Sequence, residues 1–194
     1  MEKKQKKKNL SRDRILTSAL KVIGTKGMSN LTHRSVAAEA KVAHSTVSYY
    51  FRTVDDIAIH AFKKIRVENQ NFLGESSLPL IDIGKKLTPL RLFQLAAERS
   101  QSEFDSGYVL QAEQELLLYS SNNEELCNQN NTYVNKNIAS LNNFLKAHGF
   151  KNPNSKLIYA FWVGYEKCVL EQPELFKFSD AADLAMQIVK TFKK

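Results

Sequence analysis

Glycine and proline are scarce, with seven and four residues in a chain of 194. Both break helices, so long stretches run uninterrupted and helix is expected to dominate. Long apolar runs are missing as well. No segment approaches the roughly 18 consecutive apolar residues that span a bilayer. Residues 1–8 are basic with no apolar stretch behind them, a pattern that does not make a secretory signal. Cysteine is limited to Cys127 and Cys168, which form no CxxC pair. Neither a disulfide framework nor a thiolate zinc site is therefore written in the sequence. Two buried, reduced thiols are the plain reading, with a disulfide or a ligand-sensing thiol as the alternative. The four histidines, His33, His44, His60 and His148, fall in no HxxxH or HExxH spacing. No glycine-rich phosphate loop and no nucleophile elbow is present. Enzyme, cofactor and metal chemistry are all expected to be absent, and the cytoplasm is the expected compartment.

Acidic residues are rare in one region only. Residues 1–52 carry twelve Lys or Arg against three acids, a net of +9, while the whole chain carries +8. The remaining residues are thus close to neutral. Such asymmetry suits a segment that meets a polyanion, and a nucleic acid fits best because neutralised phosphates release counterions. A solubilising tail is the competing explanation of charge alone.

The apolar periodicity predicts about nine helices and no strand, an all-α chain. Residues 1–10 are polar and lysine-rich and read as a disordered basic arm. A first helix is expected from Ser11, with Ile15, Leu16, Ala19, Leu20 and Ile23 on one face, ending at Gly24 and Gly27. A second, short helix follows Thr32, a good N-cap residue, and buries Val36, Ala37 and Ala40. A third covers about His44 to Phe51. A fourth, capped by Thr53 or Asp55, carries Ile57, Ala58, Ala61, Phe62 and Ile65 to about Phe72. Residues 74–87 read as a connector. Thr88–Pro89 is a cap followed by proline at the first helical position. Four further helices are expected over about 108–120, 124–148, 155–171 and 180–192. The expected division is a basic arm at 1–10, a helix-turn-helix domain at 11–53, and an effector-binding and dimerisation domain at 54–194.

The segment from Leu31 to Phe51 carries the chemistry. Two short helices meet at a tight turn, with Ala37 and Ala40 small enough for close approach and Val42 filling the angle. On a wheel at 100° per residue, Val47, Tyr50 and Phe51 of the third helix fall on one side. Ser45 and Tyr49 lie opposite, flanked by Thr46 and Ser48. The exposed face therefore bears hydroxyls and one aromatic ring and no charge. In a major groove Ser and Thr can bond base edges, Tyr49 can meet a thymine methyl or a phosphate, and Arg34 can reach a guanine edge or a phosphate. A non-specific nucleoid-type binder would instead carry dispersed Lys and Arg on that face or aromatic platforms.

Residues 11–65 resemble the N-terminal domain of the tetracycline-repressor (TetR) family. The matching residues are Ile15–Leu16, Ala19, Gly27, Leu31–Thr32, Arg34, Val36–Ala37, Val42, Thr46–Val47, Tyr50–Phe51 and Asp55 to Ile57. The resemblance implies a dimeric transcriptional regulator, commonly a repressor, that binds a palindromic operator and is released by a small-molecule effector. It implies DNA contacts from Thr32, Arg34, His44, Ser45, Thr46, Ser48, Tyr49 and Tyr50. Three positions depart from the family pattern. Lys41 replaces the usual turn glycine, at a cost of about 1 kcal/mol if left-handed. Ala43 replaces the usual Ser cap, which predicts a late start for the third helix. Val54 replaces a phosphate-binding Lys, with Arg52 as a substitute. The lysines at 3–8 are expected to reach along the minor groove or phosphates, or else to act as a solubilising tail.

Beyond residue 65 the sequence carries no motif. The segment 155–171 is apolar around most of its circumference, leaving a polar wedge of Lys156, Glu166 and Lys167, so burial on more than one side is expected. With the last helix it would form a four-helix dimer interface, as the family resemblance implies. Glu113 sits in the middle of an apolar face and should be paired if buried; Arg99, Arg91, a tyrosine or water are the expected partners, and an effector is the alternative. Phe93, Glu113, Tyr119, Trp162 and Tyr165 are candidate effector-pocket residues, since such pockets combine aromatic walls with few polar groups.

Overall fold

A computed structural model of the chain describes residues 2–77 and 87–192, with side chains described for residues 10–67 and 87–192. Nine α-helices and one short 3-10 turn make up the described residues, and none of these residues is in a strand. They are α1 (Glu2–Lys26), the turn Met28–Asn30, α2 (His33–Ala40), α3 (His44–Tyr50), α4 (Val54–Ser77), α5 (Pro89–Asp105), α6 (Val109–Ser120), α7 (Glu124–Ala147), α8 (Ser155–Glu171) and α9 (Phe178–Lys190). No described helix is long and apolar enough to cross a membrane.

Two boundaries differ from the sequence expectation. Where the composition predicts a disordered arm over residues 1–10 and a helix capped by Ser11, the backbone is helical from Glu2 and Ser11 lies inside α1. Lys, Gln and Glu are good helix formers, and extending an existing helix needs no new nucleus. At the other end of the domain, α4 continues to Ser77, through Gly74 of the expected connector; the rest of that connector, 78–86, lies outside the described residues.

The chain divides into two compact units. The first holds residues 1–68 and 106–129, so it contains the 11–53 segment and adds the start of α4, α6 and the start of α7. Its core is built from Ile15, Ala19 and Ile23 of α1, Val36 of α2, Val47 and Phe51, Ile57, Ala61 and Phe62 of α4, and Ala112 and Leu116 of α6. Lys21 of α1 pairs with Glu39 of α2 at 2.7 Å, and Lys64 of α4 pairs with Asp13 of α1 at 2.6 Å. Gly24 explains how α1 meets the entrance to α6. A Cβ there would lie 2.0 Å from the Tyr108 carbonyl oxygen, so no other residue fits without moving backbone.

The second unit holds residues 69–105 and 130–194. Its core gathers Phe93 of α5, Leu145 of α7, Phe150, Ile158 of α8, and Ala182, Ala185 and Val189 of α9. Helix starts follow local rules. Thr88 Oγ1 accepts the Arg91 amide at 3.2 Å ahead of Pro89, and Asn154 Oδ1 accepts the Leu157 amide at 3.1 Å.

Candidate nucleic-acid interface

Thr32 caps α2 through a reciprocal pair. Its hydroxyl accepts the Ser35 amide, and Ser35 Oγ accepts the Thr32 amide, each at 3.0 Å. Two of the orphan donors that any helix start leaves are satisfied in this way. The Thr32 hydroxyl is thus engaged within the protein, while Arg34 in the first turn is exposed. His33 begins α2 with its Nε2 2.9 Å from the Phe51 carbonyl oxygen, which ties the first residue of α2 to the end of α3. The sequence pattern offers no sign of this bond, because its partners are 18 positions apart.

Lys41 closes α2 in the left-handed region, at φ 53° and ψ 49°, and is the one non-glycine residue with positive φ among those described. The Val42 amide returns to the Ala37 carbonyl at 3.0 Å, so the turn completes its hydrogen bonds without a glycine. Ala43 follows as an N-cap without a side-chain bond. The helix nevertheless starts at His44 and not one or two residues late. Burial of Val47 and Phe51 in the first unit's core fixes α3, outweighing an absent cap of about 1 kcal/mol.

That burial decides what faces outward. His44, Ser45, Ser48 and Tyr49 are exposed, Thr46 and Tyr50 are half-buried, and Tyr49 retains 71% of its surface. Tyr49 stands edge-on to Tyr50 with ring centroids 5.2 Å apart, which restrains the ring. The Ser48 hydroxyl leans back on the His44 carbonyl at 3.3 Å. Just beyond, Thr53 and Asp56 form a second reciprocal cap. Thr53 Oγ1 accepts the Asp56 amide, and Asp56 Oδ2 accepts the amides of both Arg52 and Thr53, each at 3.0 Å. The Thr53 amide, with that of Arg52 and the Thr53 hydroxyl adding to it, holds the Asp56 carboxyl below the usual carboxylate range. Arg52 is exposed beside the end of α3, with its backbone fixed by this cap.

Helix α3 thus presents an uncharged, hydroxyl-bearing face above the buried Val47 and Phe51. Residues 15–61 match the family model described as bacterial regulatory proteins, tetR family. That segment of the chain is a tetR-family DNA-binding domain. With it the chain is a DNA-binding transcriptional regulator and not an enzyme. No curated protein matches it. Among solved structures it is similar to the multidrug binding protein EbrR in complex with proflavin, at 25% identity over 92% of this chain and 99% of that one, with a TM-score of 0.60. A TetR-family member from Streptomyces coelicolor A3 shares 21% identity over 92% and 98% of the two chains, with a TM-score of 0.70. A TetR transcription regulator from Haloarcula marismortui ATCC 43049 shares the fold at 12% identity, 96% and 100% coverage and a TM-score of 0.75.

The candidate effector residues divide between the two units. Glu113 and Tyr119 belong to the first; Phe93, Trp162 and Tyr165 belong to the second. Glu113 is 6% exposed and pairs with Arg66 of α4, whose guanidinium also lies 4.5 Å over the Phe62 ring. The expected partners are otherwise engaged, Arg91 with Glu98 and Arg99 with Glu103. Tyr119 donates to Asp55 Oδ1 at 2.6 Å, and this bond pushes the Tyr119 hydroxyl above its ordinary pKa. In the second unit Phe93 stacks on Trp162 with centroids 6.3 Å apart. The Tyr165 hydroxyl donates to the Lys177 carbonyl at 2.9 Å, and burial raises its pKa. Glu166 does not belong to a polar wedge. It is buried, and its Oε1 accepts from Ser100 Oγ at 2.7 Å and from Trp162 Nε1 at 3.1 Å. Two local neutral donors make that burial tolerable.

Proposed function

We propose that the chain binds a palindromic operator as a homodimer, reads it with α3, most often to repress, and leaves it when a small-molecule effector binds. The exposed, uncharged face of α3 carries this reading. Ser45 and Tyr49 reach base edges, Thr46 and Ser48 flank them, and His44, Tyr50 and Arg34 contact phosphate or a guanine edge. The Thr32 hydroxyl, already bound to Ser35, contributes by fixing the α2 amides near the backbone. Lys41 turns its strained position to use as a cation beside phosphate.

Exposed apolar surface supports the homodimer. Leu157 on α8 and Leu184 on α9 keep 47% and 36% of their surface, and Ala160 and Gly164 continue the α8 stripe at helical spacing. A two-fold pair of chains would cover it and place two α3 helices about 34–36 Å apart, one turn of DNA. EbrR is described as binding malachite green, ethidium and proflavin, which supports an effector for this chain, with Phe93, Trp162 and Tyr165 contributing aromatic walls. Such a regulator acts in the cytoplasm.

The test is selection of bound sequences from a random DNA pool, with the complex sized in solution. Two half-sites in inverted repeat, one turn apart and bound by two chains, are expected. A single unrepeated site bound by one chain would overturn the dimeric reading.

A further inference from the structure

Phe51 is where the other helices of the first unit take hold of the end of α3. Its ring is buried, with the Arg12 guanidinium of α1 5.3 Å from its centroid and the His60 ring of α4 5.5 Å away, centroid to centroid. Its amide closes α3 on the Val47 carbonyl at 2.9 Å. Its carbonyl comes after Tyr50, the last helical residue, and accepts from His33 Nε2 of α2 at 2.9 Å. The half-buried His33 ring also lies 5.9 Å from that of His44, the first residue of α3, tilted by 54°. That distance is within the range of ring–ring contact. One side chain of α2 thus meets both ends of α3.

Ring contacts tolerate a spread of angles, whereas an N–H to carbonyl bond weakens steeply as it bends. Ala43 offers no side-chain bond at the other end of α3, so the directional tie between α2 and α3 falls to His33. Small rotations matter here. A helix with its side chains is about 10–12 Å across, so a turn of about 10° about the α3 axis moves a side-chain tip by about 1 Å. Such a shift is enough to spoil a hydrogen bond to a base edge. Attraction to phosphate, with a screening length of about 8–10 Å, tolerates it.

We infer that His33 is a positioning residue for DNA reading: its Nε2–H holds the Phe51 carbonyl and so keeps Ser45 and Tyr49 in register with base edges, without touching DNA itself. The bond needs the proton on Nε2, which leaves Nδ1 bare in the neutral ring. This rests on α3 as the reading helix, and it names a residue outside α3 on which the selectivity of α3 depends.

Two measurements test it. In the wild-type chain without DNA, nitrogen NMR of the histidine rings in mildly alkaline solution should show His33 as the Nε2–H tautomer, its signals assigned by their loss in His33→Gln. The Nδ1–H tautomer would overturn the inference whether or not any variant folds. The second measurement compares affinity for the operator with affinity for random DNA of equal length. His33→Leu keeps bulk and loses the donor. Its operator-to-random ratio should fall about tenfold or more, with affinity for random DNA within about threefold of wild type. His33→Gln places an amide N–H at a similar reach and should keep the ratio within about threefold of the wild-type value. An unchanged ratio in His33→Leu overturns the inference. So does an equal fall on operator and random DNA, the mark of a lost phosphate contact, or a ratio lost in His33→Gln as well. A wild-type ratio near one would overturn the reading of α3 itself, and this inference with it.

Discussion

Helices α3 and α8 both leave part of their surface uncovered in the single chain, and what they leave differs. The seven residues of α3 expose hydroxyls, an imidazole and a tyrosine; the seventeen of α8 expose Leu157, Ala160 and Gly164 together with Lys156, Lys167 and Glu171. The α3 face carries no charge, whereas on α8 the apolar stripe runs beside these three charged residues. Hydroxyls without charge suit base edges, where each contact discriminates by geometry. Leucine with small residues suits another helix, where backbones approach closely and apolar area leaves water. The kind of exposure thus separates the two proposed partners, DNA for α3 and a second copy for α8.

The comparison breaks most severely if the support under α3 fails for reasons unrelated to DNA. Glu113→Ala leaves Arg66 charged and buried, and should destabilise the fold by roughly 3–5 kcal/mol in denaturant unfolding. Arg66→Met with Glu113→Leu should recover most of that loss, because matched apolar replacements of a buried pair are often neutral. Next in size are the contacts themselves. Ser45→Ala and Tyr49→Ala should each cost about 1–3 kcal/mol of operator binding in titrations, with unfolding midpoints unchanged, since neither side chain is buried. On the α8 side, Leu157→Glu should shift sedimentation from two chains to one and weaken operator binding while leaving α3 intact.

Smaller effects sharpen the picture. Lys41→Gly relieves the left-handed strain and should raise stability by up to about 1 kcal/mol, while weakening binding to all DNA alike if Lys41 meets a phosphate. The smallest concerns acid. Asp56 has a lowered carboxyl pKa, so its contribution is present above the unfolded value near about 4 and is lost as pH falls through the folded value. Amide exchange at Arg52 and Thr53 should quicken in that range, and Asp56→Ala should remove the pH dependence.

Local order was legible in the residues. The period of apolar positions gave α8 as Ser155–Glu171 to the residue, Thr32 announced the start of α2, and the wheel separated Val47 from Ser45 and Tyr49. These features depend on neighbours a few positions away. Partners far along the chain were not legible. Glu113 demanded a cation, but only the packing of α4 on α6 selects Arg66 over Arg91 or Arg99. Glu166 looked like part of a polar wedge because its donors, Ser100 and Trp162, come partly from another helix. The close approach of Tyr108 to Gly24 and the bond from Met28 to Glu115 are long-range in the same way. The helical start at Glu2 shows the opposite case, a local feature in which the helix propensity of lysine and glutamine prevails over the charge that suggests an arm.

The most direct measurement is the ratio of affinities for the DNA upstream of the protein's own gene and for random competitor DNA of equal length and at one salt concentration. The account predicts a ratio of about a thousandfold or more for the wild-type chain, falling towards one for Ser45→Ala with Tyr49→Ala while the variant still melts cooperatively at the wild-type temperature. A wild-type ratio near one, or a ratio that survives in the double variant, would contradict the assignment of α3 as the reading helix.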